Sequence, residues 1–550
     1  MKIRNFLSAL LRQRLLLPRT RQLAQQFGTR PLARTSARPV DIVVEMVSDD
    51  YYFCLLGNVC SALRQRAELR IEQHVFATIR VGMTHSARAL LPALFPLNRL
   101  HSAPWREMYD TFCNGLGFHA QSFAPLNDLT DAARSLKAWR AIKRGETLKP
   151  LRIDGILVGD LINDTYLRFR PAKTVDTSDT FLWYLLWQTF RGVRRARAYF
   201  RREMPALYLT SYSTYIQHGV PARVALDEGI AVHAFGNLQE FTKRLHRHDI
   251  VHTRNPDDYR ERYYAQPDPS EGRAAAERNL SLRLSGGVDT ATAYMAKSAY
   301  QDTGAAVPDV RGAAVVFLHD FFDSPHIYRN MVFPDFWQWA CFTIDTLTES
   351  GIPFFVKPHP NQVGPSALVL RELRERYPSL QLIPTAVTNR QLADAGIACA
   401  ITVYGTIGHE MAYLGVPSIA CAHHPHVAFD ICKTATSVEE YASLLRRALT
   451  LPVDPVLLRE QALQFYYSHN LAQPPEALAL RDAMVRAWKL SHDHEVSAQE
   501  LQDAFRTMRE LPGFTAVIDE FLAIVQHRGN RAAVSTKTTG EPNESASRIL

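Results

Sequence analysis

At 550 residues, 46% hydrophobic and 21% charged, the chain is long enough for two or three domains with a sizeable core, and too apolar to be a disordered protein. Its formal net charge of +8 suits anionic partners such as a sugar nucleotide, a phospholipid surface or an acidic polysaccharide, but is too diluted to mark a nucleic-acid binder. The seven cysteines (Cys54, Cys60, Cys113, Cys341, Cys399, Cys421 and Cys432) lie mostly in apolar stretches without a CxxC pair, and read as reduced core residues of a cytoplasmic protein.

Residues 1–40 stand apart, with nine Lys or Arg and no Asp or Glu. Ile3, Phe6, Leu7, Leu10 and Leu11 fall on one helical face, while Arg12 and Arg14 interrupt the apolar run. That pattern fits neither a signal peptide nor a spanning helix, and no other segment reaches the length of an uncharged membrane span. Two readings stay open: a basic amphipathic helix laid on the inner, anionic membrane face through residues 1–20, or a solvated arm.

Residues 41–305 read as a first α/β domain. A strand at 41–47 is followed by a turn at Gly57-Asn58 and a helix from Val59. Further strands are expected at 153–158, 206–208 and 229–235, and a polar, Arg-rich stretch at 249–283 reads as loops and helices closing the domain. On a helix, Asp160, Asp164 and Arg168 would share one face at i+4 spacing, either gripping a hydroxylated ligand or forming a surface ion-pair ladder. A second α/β domain is expected over 306–454, with strands at 313–318, 353–356 and 400–403, a helix at 337–350 and right-handed crossovers. Residues 455–527 read as helical, and 528–550, rich in Ser, Thr, Asn and Gly, as a disordered tail.

Two corners of the second domain carry phosphate chemistry. The buried run 353–356 ends in Lys357-Pro358-His359-Pro360-Asn361, where two prolines stop the strand and hold an imidazole and an ammonium at the carboxyl end of the sheet. Strand 400–403 leads through Tyr404-Gly405-Thr406-Ile407-Gly408 into a short helix, whose first N–H groups suit an anion. Gly405 and Gly408 would permit close backbone approach, and Glu410, one turn in, would hold ribose hydroxyls.

The Lys-Pro-His-Pro tip, followed by Thr402, Thr406, Glu410 and Gly415-Val416-Pro417, resembles the donor domain of glycosyltransferases with two Rossmann-like domains facing a cleft, the GT-B architecture. More narrowly it is similar to bacterial capsule and cell-surface polysaccharide transferases: Kdo transferases, polysialyltransferases and CDP-glycerol polyol-phosphate polymerases. The likeness runs over about 310–445. It implies that His359 contacts donor phosphates, with Lys357, Pro360, Thr402, Gly405, Thr406, Gly408 and Glu410 around the nucleotide. It also implies that protein cations stand in for a metal, so that no metal or cofactor is required. Tyr404-Gly405-Thr406 departs from the Ser-Ser or Ser-Thr pair common in these families.

Three constellations compete to act on the acceptor. Tyr215-Ile216-Gln217-His218-Gly219-Val220-Pro221 resembles the His-Gly-x-Pro element whose His is the base of the polyol-phosphate polymerases, although a His in a tight turn can equally bind a carbonyl. Asp227-Glu228-Gly229 matches the acid-acid-Gly element of polysialyltransferases, or else simply ends a helix in water before a Gly cap. His319-Asp320-Phe321-Phe322-Asp323-Ser324-Pro325-His326 reads as a donor- or acceptor-contacting loop, its spacing being weak for a metal. The expectation is a transferase moving a sugar from a CMP- or UDP-activated donor to a polysaccharide or glycolipid acceptor. The alternatives are polyol-phosphate transfer from a CDP-alcohol, UDP-sugar epimerisation, or an idle scaffold of capsule assembly.

Overall fold

The computed structural model describes residues 18–26, 39–76, 108–113, 115–116, 125–294, 304–360 and 365–538. The amphipathic face expected at residues 3–11 and Asn361 lie outside the described residues.

The first sheet contains β1 (Ile42–Glu45), β2 (Ile71–His74), β3 (Gly115–Leu116), β6 (Leu207–Thr210), β7 (Ala231–Ala234) and β8 (Lys243–Leu245), in the order β3-β2-β1-β6-β7-β8. All pairs are parallel except β7 with β8, and Ile42 stands between Ile71 and Leu207. The chain thus winds outward from β1 to β3 and then returns to the other side of β1 as β6. The run 153–158 does not join this sheet. Asp154 (φ 48°) and Gly155 (φ 86°) reverse it into an antiparallel ribbon of β4 (Arg152–Ile153) and β5 (Ile156–Leu157), because two left-handed residues favour a tight hairpin. Nor is Gly57-Asn58 a turn. The helix Asp50–Arg66, capped by the Asp49 side chain, runs straight through it, and Asn58 Nδ2 donates to Phe505 O at 2.7 Å inside the core.

The second sheet contains β9 (Ala314–Phe317), β10 (Phe354–Lys357), β11 (Cys399–Ile401), β12 (Ser418–Ala420) and β13 (Cys432–Thr434), all parallel, in the order β10-β9-β11-β12-β13. Beyond β10 the chain adds a one-residue parallel bridge, Val356 to Leu382, so this domain repeats the winding of the first. The molecule is therefore two Rossmann-like domains facing each other, the GT-B arrangement.

Each domain is completed by chain from the other's side. The helices Tyr259–Tyr264 and Pro269–Leu284, expected with the first domain, bury Tyr259, Leu280 and Leu284 against Ala412, Phe465 and Tyr466 of the second. In return, the helix Pro455–Asn470 stays on the second domain, while Pro475–His492, Ala498–Arg509 and Pro512–Thr538 cross back to cover Ile42, Phe53 and Leu207 of the first. The apolar stripes decide this. Phe505, Phe514 and Phe521 are essentially fully buried there, each worth about 2–3 kcal/mol of burial. The last helix also passes residue 528, where the tail was expected to begin.

The helix Pro18–Gln26 docks on the same cap. Arg19 reaches Asp50 (3.1 Å) and the carbonyl oxygens of Ser491 and Asp493 (2.6 Å each), and Leu23 is fully buried. Arg19 and Thr20 therefore serve the first domain rather than a surface patch.

Candidate active site

In a doubly wound sheet, ligands meet the carboxyl ends of the strands at the place where the winding reverses. In the first domain that place lies between β1 and β6. Glu45 closes β1 and is only 5% exposed. Its Oε2 accepts from Thr210 Oγ1 (2.9 Å) and from the N–H and hydroxyl of Ser211 (2.8 Å each). Its Oε1 meets Nδ1 of His218, which sits on a single π-helical turn, Tyr215–Gly219. Burial pushes the Glu45 carboxyl up, but the imidazole and the Ser211 donors outweigh it and hold the group below its ordinary value. An Nδ1 proton given to Glu45 leaves Nε2 as the acceptor, which is the tautomer a general base requires.

Asp227 and Glu228, the competing acids, do not reach this place. They end the helix Val220–Asp227, at the opposite edge of the sheet from the cleft. Asp227 pairs with Arg197 (2.7 Å) and Glu228 with Arg201 (3.0 Å) beside an open groove of about 910 Å³. A βα corner can present catalytic groups to the cleft only before its helix, not after it, so the acid-acid-Gly reading is corrected.

The second reversal lies between β9 and β11. Lys357 closes β10; it is 5% exposed, and its ammonium forms no hydrogen bond or ion pair among the described residues. Burial lowers its ammonium to about 8, with Glu410 pulling the other way. His359 follows, half-buried, its ring 6.4 Å from that of His319 and nearly parallel to it. His319, just past β9, also stacks on Phe336 at 4.9 Å and touches Tyr404 at 4.7 Å. Burial, with His359 beside it, lowers His319 to about 3, so it is a neutral imidazole. On the β11 side, Thr402 Oγ1 accepts the Gly405 N–H at 3.1 Å, and a Cβ on Gly405 would come within 3.4 Å of His319. Thr406 is exposed at the start of the helix Ile407–Tyr413, and Pro360 is exposed past His359.

Two expectations on this lip are corrected. Gly408 does not approach a ligand: a Cβ there would meet Cys432 Sγ at 2.5 Å and His426 at 3.0 Å, so its smallness serves helix-to-strand packing. Glu410 is fully buried, its carboxylate held by Arg283 (3.2 Å) and by the Asn389 side-chain amide (2.8 Å). In this state it ties the helix Pro269–Leu284 to the second domain rather than facing a ribose.

The segment 319–335 spans the two lips. Asp164 on the helix Gly159–Phe169 holds His326 by Nδ1 (2.6 Å) and by the backbone N–H (3.2 Å). Asn163 donates to Pro334 O (2.9 Å), and Thr174 donates to Asp335 (2.7 Å). Ser324 gives its carbonyl to the Tyr404 hydroxyl (2.9 Å). His319 and His326 are thus drawn to different partners. The functional groups missed from sequence are Glu45 and Ser211, while Asp164, expected on a helix face, instead holds His326. Glu45 carried a faint signal, as an acid set inside the apolar run 42–47.

No family model and no curated protein matches the chain. Among solved structures, the chain is similar to Thermosulfurimonas dismutans KpsC, a beta Kdo 2,4 transferase, at 13% identity over 48% of this chain and 79% of that one, with a TM-score of 0.28. It is similar also to a Methanocaldococcus jannaschii UDP-GlcNAc 2-epimerase in complex with UDP-GlcNAc and UDP (10% identity, 78% and 98% covered, TM-score 0.25). A third is Medicago truncatula UGT71G1 complexed with UDP-glucose (8% identity, 86% and 98% covered, TM-score 0.21). Overlaps of this size carry no argument, and the two-domain assignment stands on strand order.

Proposed function

We propose that the protein is a glycosyltransferase that moves a sugar from a nucleotide-activated donor to a hydroxyl of a cell-surface polysaccharide or glycolipid. One observation carries this reading: two winding reversals face one cleft with complementary chemistry, a carboxylate-oriented imidazole on one side and a buried, partnerless ammonium with two imidazoles on the other. Nε2 of His218 takes the proton of the acceptor hydroxyl, and Glu45 stabilises the imidazolium that forms. The acceptor oxygen then forms the new bond at the anomeric carbon as the bond to the nucleotide phosphate breaks. Lys357 and His359 meet the charge that gathers on the departing phosphate, and Thr402, Gly405 and Thr406 shape the turn beside it. The bridge from Asp164 to His326 would hold the lips closed and keep water from the donor. The net charge of +8 favours an acidic acceptor and an anionic membrane face.

The test is a thermal-shift screen of the full chain with CMP, CDP, UDP and GDP, repeated with His359→Ala. At least one nucleotide should raise the wild-type midpoint, and the variant should lose most of that rise. A wild type that no nucleotide stabilises would sink the proposal.

A further inference from the structure

Behind the corner that follows β11, four imidazoles are packed together. His409 stands on the short helix Ile407–Tyr413, His424 and His426 on the turn after β12, and His469 on the helix Pro455–Asn470. All four are buried. The His424 ring lies 4.5 Å from that of His426, 6.0 Å from that of His469 and 6.4 Å from that of His409. Phe465 packs against every one of them, its ring 5.1 to 6.1 Å from theirs.

These rings have few polar partners. Neither ring nitrogen of His409 has one, nor does Nδ1 of His426, whose Nε2 lies 3.8 Å from Cys432 Sγ. His424 Nδ1 accepts the His426 backbone N–H (3.2 Å), and His469 Nδ1 meets the Tyr259 hydroxyl (2.8 Å). None of the four forms an ion pair among the described residues. The fixed charges that reach them are cations: Arg283 acts on His409, and Arg254 and Arg481 act on His469. His319 and His423 stand beside His424 and His426. Tyr259, Tyr328, Tyr466 and Cys432, which also face the cluster, are pushed up by burial and stay neutral. The acids of the surrounding elements are engaged elsewhere. Glu410 is held by Arg283 and Asn389, and Asp289 by the Tyr466 hydroxyl. Glu277 is held by Tyr413 and Arg459, Glu240 by Arg254 and the exposed Asp430 by Arg260.

Burial, with the neighbouring cations and imidazoles, holds all four rings below their ordinary range, His426 at about 3, so they are neutral at pH 7. An imidazolium buried where no carboxylate is turned towards it is costly. Their packing is therefore at full strength above 6.5, the ordinary histidine value, and weakens as pH falls below it, because the opened chain takes up protons that the packed chain refuses. By about pH 5.5 each ring costs the packed state roughly tenfold in its equilibrium.

The cluster lies where such a loss would be felt. His409 is three residues past Thr406, and the His424 ring touches Tyr328 (4.9 Å), which touches Tyr404 (4.9 Å) beside His319. Through Tyr259, His469 also ties in the chain that crosses from the first domain. We propose that His409, His424, His426 and His469 form an acid-sensitive lock, which below about pH 6 frees the helix Ile407–Tyr413 from the helix Pro455–Asn470 and loosens the anion corner. The lock belongs to the free chain; only its effect on nucleotide affinity rests on the transferase reading.

Hydrogen exchange of the full chain, read by mass spectrometry from about pH 7.5 to about pH 5 and corrected for the intrinsic rate, tests the lock. Peptides covering 405–414 and 459–470 should lose protection about a hundredfold or more by about pH 5.5. The helix Phe336–Glu349, in the same domain but without histidine, should keep its own. His409→Leu and His426→Leu each remove one titrating group and should reduce the loss about tenfold, whereas His494→Leu, at an exposed site, should not. Exchange like that of wild type at about pH 7.5 verifies the fold of each variant, and if leucine is not tolerated the order of opening in wild type decides. The lock is overturned if 405–414 stays protected at about pH 5.5, if it opens no earlier than 336–349, or if both folded leucine variants open as wild type does. Nucleotide affinity should fall together with the protection of 405–414. Acid opening as expected, with no nucleotide bound at any pH, would leave the lock standing and count against the transferase reading.

Discussion

The reversal between β1 and β6 and the reversal between β9 and β11 share a winding but differ in how their charges are met. At the first, Glu45 is surrounded by donors from Thr210, Ser211 and His218, which leaves the other imidazole nitrogen as the acceptor. At the second, the Lys357 ammonium is buried without a partner among the described residues, and Glu410, the acid that acts on it, is already taken by Arg283 and Asn389. A satisfied network holds a base in one tautomer. An unsatisfied cation is costly until an anion arrives. On the proposed function, the same architecture yields one side that moves a proton and one that receives a phosphate.

Substitutions can break each half of that contrast. The largest effect belongs to the base: His218→Ala should lower transfer by roughly 10²–10⁴-fold while leaving nucleotide affinity unchanged. Glu45→Gln should lower turnover by less and shift the pH profile of the rate, because the imidazole loses the partner that orients it. Rate measurements across pH, alongside calorimetric nucleotide titrations, check both, and a fall in nucleotide affinity in either variant would merge the two sides.

Lys357→Met sharpens the contrast, since it should weaken the function yet strengthen the free fold. The lowered value of about 8, against 10.5 for an ordinary lysine, means that the folded state disfavours the charged form, at a cost on the order of 3 kcal/mol. That cost is present in full below pH 8 and fades as pH rises towards 10.5, because the unfolded lysine then also gives up its proton. The variant should therefore melt higher than wild type at pH 7, with the gap closing by pH 10. Nucleotide affinity should drop about tenfold or more in the variant, and in wild type it should decline as pH rises above about 8. Chemical denaturation over that pH range, paired with the titrations, reads both effects.

The smallest effect is expected from Asp227→Asn and Glu228→Gln. Their ion pairs with Arg197 and Arg201 lie on the far side of the sheet, so transfer should stay within about twofold and stability within about 1 kcal/mol. A large loss of activity from either would return the base to that corner.

Several features could be read locally. The apolar runs at 313–318 and 353–356 become β9 and β10 within a residue, since a strand buried on both faces leaves a short continuous hydrophobic signal. The stiff Lys-Pro-His-Pro exit and the glycine turn at 405 announce a corner suited to anions, and His218 was visible in its turn. The run at 153–158 misled because Asp154-Gly155 folds it back on itself. Asp227 and Glu228 misled because a motif does not say at which edge of a sheet it will stand.

What the sequence determined is the set of strands, the repeated α/β winding and the residue types gathered at each strand's end, all coded in windows of a few residues. Only the tertiary structure decided the pairings between distant polar groups. Glu45 meets His218 across 173 residues, Asp164 meets His326 across 162, and Glu410 is claimed by Arg283. It also decided that the last helices return to the first domain. Such pairings follow from burial, because a charge removed from water must find whichever partner the packed chain brings to it, and no local pattern specifies that partner.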